Sequence, residues 1–301
     1  MWVVGIDEAG YGPNLGPLVQ AAVALYLPDD DPAGWETLKP VVRRCHEKAD
    51  ERLLIDDSKK VYTSDGFLAL ERGVWCANGL EFSRVDHFFS THAPQCVEEL
   101  AREGWYSSED PIPCEVWEKQ DARLPGVTSR ASVVPATRFN HIVDDSQSKG
   151  TVLALGLIDL IHATLQVLPA SIEPLVIHCD KHGGRNFYAA MVQAAFPDGW
   201  VVAEKESALE SRYRVEMLDR PVTITFKPRA DAESVAVALA SMTAKYLREV
   251  CMRQFNRFWA KHVPGIEPTA GYPNDAKRFY DLIKPAMKKL GLTADQVWRK
   301  K

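Results

Sequence analysis

The sequence predicts an α/β fold in which helices pack on a mixed sheet, and three observations predict it. Short β-rich runs alternate with helical stretches along much of the chain. A strand, a glycine-rich turn and a second apolar run open it. In the second half, a long helix begins with small apolar residues on nearly every face (Val235, Ala236, Val237, Ala238, Leu239, Ala240), which places it inside rather than on the surface.

Trp2-Val3-Val4-Gly5-Ile6 is the first β-rich run, and 18–27, rich in Val and Ala, is the second. Between them, Gly10-Tyr11-Gly12-Pro13-Asn14-Leu15-Gly16-Pro17 is turn material that cannot continue a regular helix. A polar helix is expected at about 36–51 and a strand within 73–88, around Val74, Leu80, Phe82 and Val85. Residues 90–135 scatter Pro94, Pro111, Pro113 and Pro125 among polar residues, and read as an insertion or surface subdomain rather than core. Order returns with an apolar helix at 151–167 and a buried strand at 174–180. A helix at 186–196 and strands at 200–203 and 221–226 follow. Asp231 then opens the long helix, from 232 to about 258, and 276–290 and 293–300 suggest closing helices. There is no internal repeat.

The chain has 301 residues, one large domain or two small ones against roughly 150 residues per domain. Hydrophobic residues at 46% and charged residues at 26% exclude a disordered tail, a collagen-like chain and a small disulfide scaffold. No run approaches the ~18 apolar residues that cross a bilayer, and no basic segment precedes an apolar stretch at the N-terminus, so a cytoplasmic protein without a membrane partner is expected. A net charge of -5 argues mildly against a nucleic-acid partner, although a basic groove and an acidic site can share one molecule. The six cysteines are dispersed without a C-x-x-C pair, and Cys45-His46 is poor zinc spacing, so reduced packing cysteines are expected.

Four acids stand at element ends. Asp7 and Glu8 leave the first strand, Asp180 leaves the buried strand, and Asp231 precedes the buried helix. If the first and 174–180 strands are neighbours, Asp7 and Asp180 converge at one edge of the sheet. Crowded carboxylates raise one another's pKa unless cations neutralise them. Hard oxygen ligands of this kind suit Mg²⁺ or Mn²⁺, and two such ions about 4 Å apart can activate a water against a phosphodiester. Each acid has a plainer reading as well. Asp231 can be only a helix N-cap, and Asp180 only a turn residue. Asp7 and Glu8 point to opposite faces of a strand, so both serve one site only if the strand ends there or Glu8 acts through its carbonyl. The glycine loop has one residue too many for G-x-G-x-x-G and leads into a β-like run, which excludes a dinucleotide fingerprint. Neither a P-loop nor a G-x-S-x-G elbow occurs.

Together these motifs resemble ribonuclease HII. The run from Gly5 to Val19 is similar to that family's opening signature, and Asp57-Ser58-Lys59-Lys60-Val61 to its D-S-K-K-L element. Cys179-Asp180 stands where the family has its third acid at the end of a strand. The stretch 230–249, with Ala240-Ser241 and Ala244-Lys245, resembles its fourth acid and helix, and Gly271-Tyr272 its G-Y motif. The five occur in the family's order and bracket 5–272.

The resemblance implies a ribonuclease-H-like mixed sheet flanked by helices. It divides the chain into a catalytic domain at 1–260, with an irregular insertion about 62–135, and a helical C-terminal extension at 261–301 packed on it. It implies a divalent-metal endonuclease acting 5′ of ribonucleotides in RNA–DNA hybrids or ribonucleotide-containing duplex DNA. Asp7, Glu8, Asp180 and Asp231 would hold Mg²⁺ or Mn²⁺. The backbone of Gly10, Tyr11 and Gly12 would approach the ribonucleotide and its 2′-OH. Tyr272 would stack on the sugar at the junction, while Lys59, Lys60 and Lys245 would contact phosphates or balance charge. The family's G-R-G reads Gly10-Tyr11-Gly12 here, and its late R-D pair reads Arg248-Glu249. Asp144 and Asp145, near the start of the 151–167 helix, are competing ligands or solvated helix-start residues. The alternatives are a non-catalytic nucleic-acid-binding relic of the same fold and a metal nuclease with another substrate, such as branched DNA.

Overall fold

The computed structural model describes residues 1–115, 117, 124 and 126–300. β1 (Trp2–Ala9) and β2 (Leu18–Tyr26) form an antiparallel hairpin around the glycine-rich loop, with Asp7 opposite Ala21. Both faces of β1 are covered: Val3 packs into one core, Val4 and Ile6 into another. That explains why the run is apolar without alternating.

The next segment departs from the sequence reading. The polar helix expected at 36–51 lasts only from Trp35 to Leu38 (α1). Pro40 follows soon after, and a proline has no N–H with which to extend the helix. Arg52 then pins the fold-back, pairing with Glu47 and Asp50 and donating to the carbonyls of Lys39 and Val42. This brings β3 (Val42–Arg43) parallel to β4 (Leu53–Leu54). The strand expected within 73–88 is helix on both sides of a turn, α2 (Ser58–Asn78) and α3 (Val85–His92). Leu70, Val74 and Ala77 recur at helical spacing and are buried. Asp57 caps α2 by accepting the N–H of Lys59.

Nor is 90–135 a surface subdomain. Ala93, Cys96, Leu100, Trp105, Ile112 and Leu124 belong to the same hydrophobic core as Val3 and Val235. Pro94 opens a short 3₁₀ turn ahead of α4 (Val97–Ala101), and β5 (Thr128–Val134) pairs with β2 at the sheet edge. Here Pro94 starts an element rather than interrupting one. Pro125 lies outside the described residues.

α5 (Ala136–Ser146) and α6 (Lys149–Leu165) lead into β6 (Leu175–Asp180) and α7 (Ala189–Ala195). β7 (Trp200–Glu206), β8 (Ser211–Glu216) and β9 (Val222–Lys227) complete a sheet of order β5-β2-β1-β6-β9-β8-β7. β1, β6 and β9 run parallel at its centre. β8 was not anticipated, although Ser211, Tyr213 and Val215 alternate inward with exposed Arg212 and Arg214.

The long helix does not start at Asp231. α8 (Ala230–Glu233) is separate, Ser234 is extended at φ -133 and ψ 130, and α9 (Val235–His262) begins after it. Asp231 is therefore no N-cap; Arg229 and Ser234 hold those positions. α9 passes so close to β1 that a Cβ on Gly5 would lie 2.1 Å from the Ala236 carbonyl carbon, which only glycine tolerates. α10 (Pro273–Leu290) sends Phe279 and Ile283 into the first core, and the helix expected at 293–300 is a 3₁₀ turn, Ala294–Gln296, closed by a Thr293–Gln296 capping box. Among the described residues no single helix is long and apolar enough to cross a membrane.

Candidate active site

The three parallel strands decide where the acids go. Ile6 lies opposite Cys179, so Asp7 and Asp180, each the next residue, leave neighbouring strands at the same edge. The β1–β6 ladder stops there while β1 stays paired with β2 as far as Ala9. On the β6 side the strand has thus ended at Asp7, which is the condition for Asp7 and Glu8 to share a site. Beyond β9 the chain turns through Arg229 at φ 58 into α8, which delivers Asp231. Asp180 fastens that turn by accepting the Ala230 N–H at 3.1 Å.

All four carboxyl groups are half-buried and all four are harder to ionise than usual. Burial is the main cause at Asp7, whose pKa is well above normal, and the charges of Glu8 and Asp180 add to it. The Ser241 hydroxyl and the Glu8 N–H, which donates to Asp7 at 2.7 Å, work the other way. Burial and then Asp180 push Glu8 up to about 7, against the Lys59 charge. Asp180 is raised by burial against hydrogen bonds from the N–H groups of Ala230, Arg229 and Lys181. Asp231 is raised by burial and by Asp57 and Asp180. The acids therefore form one electrostatic group with a surplus of negative charge.

That donor set fits a hard divalent cation in chemistry and charge, since only oxygen ligands are offered and each repels the others until a cation intervenes. Among the described residues, no three His, Cys, Asp or Glu side chains close into a ready-made cage. Asp7 and Asp180 are instead held by their own backbone hydrogen bonds.

Beside the acids lies the glycine loop, clamped from within by two buried arginines. Arg299 donates through Nη2 to the carbonyls of Gly10, at 2.6 Å, and Pro13; Arg248 donates to those of Ala270, at 2.9 Å, and Leu15. A carbonyl turned inward points the N–H of the same trans peptide outward, so the Tyr11 N–H faces away from Arg299. Gly10, at φ 91, leaves room for Arg248: a Cβ there would lie 2.4 Å from its Nε. Gly271 accepts from the N–H groups of Asn14 and Leu15, seating half-exposed Tyr272 against the loop, with Arg248 5.7 Å from its ring.

Lys59 reaches the acids, lowering the pKa of both Glu8 and Asp180. Lys60 is shared between Asp56, at 3.4 Å, and the charge of Asp231. Lys245 pairs with Glu249 at 2.6 Å and stands 4.5 Å from the Tyr62 ring. Asp144 and Asp145 are in the last turn of α5, not at a helix start, and pair with Lys300 and His141. Three participants had gone unassigned. Ser241 stood in the Ala240-Ser241 motif as the one polar residue on a small apolar face, Asp57 stood in the lysine motif, and nothing in the local pattern marked Arg299. All six cysteines are free.

No family model and no curated protein matches the chain. Solved structures do match, and they define the class: the fold is ribonuclease-H-like, a seven-stranded mixed sheet flanked by helices with a helical C-terminal part. Ribonuclease H2 from Pyrococcus horikoshii OT3 is 16% identical, with a TM-score of 0.52, over 99% of this chain and 92% of that one. The RNase HII of a PCNA complex from Archaeoglobus fulgidus is 14% identical, with a TM-score of 0.45, over 100% and 95%. Bst-RNase HIII in complex with Mn²⁺ is 16% identical, with a TM-score of 0.49, over 99% and 66%.

Proposed function

We propose that this chain is a divalent-metal-dependent endonuclease that hydrolyses the phosphodiester on the 5′ side of a ribonucleotide, in RNA–DNA hybrids or in duplex DNA carrying embedded ribonucleotides. The observation that carries the reading is the group of four mutually repelling acids at the ends of adjacent central elements. The ribonuclease-H-like fold, shared with a protein named ribonuclease H2, supports it.

Asp7, Glu8, Asp180 and Asp231 would hold Mg²⁺ or Mn²⁺. The ions supply neutralisation of charge on the phosphoryl oxygens and a lowered pKa for the attacking water. The residues of the chain do the positioning. The Tyr11 N–H, turned outward by Arg299, meets the ribose 2′-OH, the group that separates RNA from DNA. Tyr272 flanks the sugar, and Lys59 faces a phosphate beside the acids. The products carry a 3′-hydroxyl and a 5′-phosphate.

The test is incubation with Mg²⁺ or Mn²⁺ and duplexes carrying one, four or many ribonucleotides. Cuts 5′ of a ribonucleotide are expected; a folded protein that cuts none of them with either metal overturns the reading. The second reading, a non-catalytic nucleic-acid-binding protein, is favoured by the absence of a closed three-residue cage among the described residues. Calorimetric titration separates them: uptake of two divalent ions fits the nuclease, and no uptake fits the relic.

A further inference from the structure

Lys181, the residue after Asp180, turns its side chain into the protein and is only 7% exposed. Its ammonium stands within donating distance of four oxygens. They are the Asn186 side-chain oxygen at 2.8 Å, the Ser207 carbonyl at 2.5 Å, the Ser211 hydroxyl at 3.2 Å and the Arg185 carbonyl at 3.4 Å. Ser211 in turn donates to the Asn186 carbonyl at 2.6 Å. All four oxygens are neutral, and among the described residues no carboxylate pairs with Lys181. Burying an ammonium without a counter-charge opposes folding, and neutral oxygens offset only part of that cost. Packing alone does not account for a lysine here.

What the ammonium joins is the end of β6, the loop behind it and the turn between β7 and β8. The backbone of Lys181 is held as well: its N–H donates to the Lys227 carbonyl, at the end of β9, at 3.1 Å, and its carbonyl accepts from Gly183 at 2.9 Å. Tyr188 braces the same loop, its hydroxyl accepting from the His182 N–H and donating to the Arg185 carbonyl, both at 3.1 Å. The strand end under Asp180 needs such fixing. On its β1 side the ladder has already stopped at Ile6 and Cys179. The charge of Asp180 bears on Asp7 and Glu8, and like charges move apart unless the backbones that carry them are held.

We propose that Lys181 is a positioning residue whose buried ammonium tethers the end of β6 to the β7–β8 turn and so keeps Asp180 where a divalent cation can be shared with Asp7. Lys181 acts through Asp180 and touches neither the ion nor the substrate. The tether rests on the nuclease reading above and adds what holds one of its acids in place against the repulsion of the others before an ion arrives. Groups behind a metal ligand that fix its orientation weigh heavily in metal affinity, and the tether is such a group.

The experiment is calorimetric titration with Mn²⁺ beside single-turnover cleavage of a duplex carrying four ribonucleotides, with circular dichroism to establish folding. Lys181→Met keeps the length of the side chain and removes its charge. Mn²⁺ affinity is expected to fall by roughly 10- to 100-fold, and cleavage at limiting Mn²⁺ to fall with it. The duplex concentration giving half the maximal rate should stay within about twofold, since no substrate contact is lost. Amide exchange over 181–188 should quicken in the same variant. Ser211→Ala removes one of the four oxygens and leaves the ammonium; it should move affinity and rate the same way by less, and it carries the test should Lys181→Met fail to fold. Lys181→Ala leaves space for the missing alkylammonium, so added propylammonium should restore affinity and rate, whereas propanol, similar in shape but uncharged, should not. A wild type that takes up Mn²⁺ and cuts, beside folded Lys181→Met and Ser211→Ala variants of equal affinity and rate, overturns the tether alone. A folded wild type that neither takes up Mn²⁺ nor cuts overturns the tether and the nuclease reading together.

Discussion

Asp180, the last residue of β6, accepts the backbone N–H of Ala230 at 3.1 Å across 50 residues of chain. One hydrogen bond thus ties the end of a central strand to the helical turn that carries Asp231, and the Asp180 charge raises the Asp231 pKa in consequence.

Asp180→Asn keeps an oxygen able to accept from Ala230 and removes the charge. Cleavage is expected to fall by roughly 100-fold or more. The melting temperature should hold or rise, because one of four repelling carboxylates is gone. Single-turnover cleavage beside thermal denaturation measures both, and a wild-type rate in this variant would place the chemistry elsewhere.

Divalent ions should stabilise the native state. At a free Mg²⁺ or Mn²⁺ concentration of 100 times Kd, one site adds about 2.7 kcal/mol. In the Asp7→Asn, Asp180→Asn double variant that gain should disappear, whereas an ion acting at unrelated surface sites would stabilise both proteins equally. Thermal melts with and without the metal distinguish these outcomes.

Gly5→Ala should be among the most damaging single-methyl changes in the chain. Its Cβ would lie 2.1 Å from the backbone of Ala236, and neither β1 nor α9 can move without disturbing the core between them. A loss of about 3 kcal/mol is expected in urea unfolding. Gly12→Ala is the contrast. A Cβ there meets nothing within 4 Å, so stability should stay within about 0.5 kcal/mol while cleavage falls because the methyl occupies the approach of the ribose.

Glu103 makes stability depend on pH. Burial pushes its carboxyl from 4.5 up to about 7, against hydrogen bonds from the Trp105 indole and the Thr137 hydroxyl. Between those values the folded protein keeps a proton that the unfolded chain has released, so this contribution is full below pH 4.5, is lost as pH rises to about 7 and stays lost above it. The loss amounts to about 2 kcal/mol once solvent screening is allowed for. Glu103→Gln should flatten the slope and leave the variant the more stable of the two at pH 8, as denaturant titrations across the pH range would show.

Much of the central sheet could be read from local pattern. β1 and β6 are apolar runs ended by acids, and both stand where they were expected. The failures share a cause. Val74, Leu80, Phe82 and Val85 suit a strand by residue type, yet Val74 lies in α2, Val85 in α3 and the other two in the turn between, all packed on the first core, so tertiary packing overrides propensity. The prolines between 90 and 135 looked like surface punctuation because no local signal shows that Phe88, Cys96 and Trp105 share a core with residues far away in the chain.

On its own, the linear order of residues determined the chemistry on offer: hard oxygen donors at strand ends, a glycine loop unable to be helix, and a buried helix of small residues beside them. The tertiary structure alone decided that Asp7 and Asp180 are neighbours, that Ser234 separates Asp231 from the long helix, and that Arg299 reaches a loop near the other end of the chain. The reason is physical. Side-chain periodicity is set by neighbours a few residues apart, whereas the distance between residues 7 and 180 depends on strand order and register, which exist only once remote segments have paired.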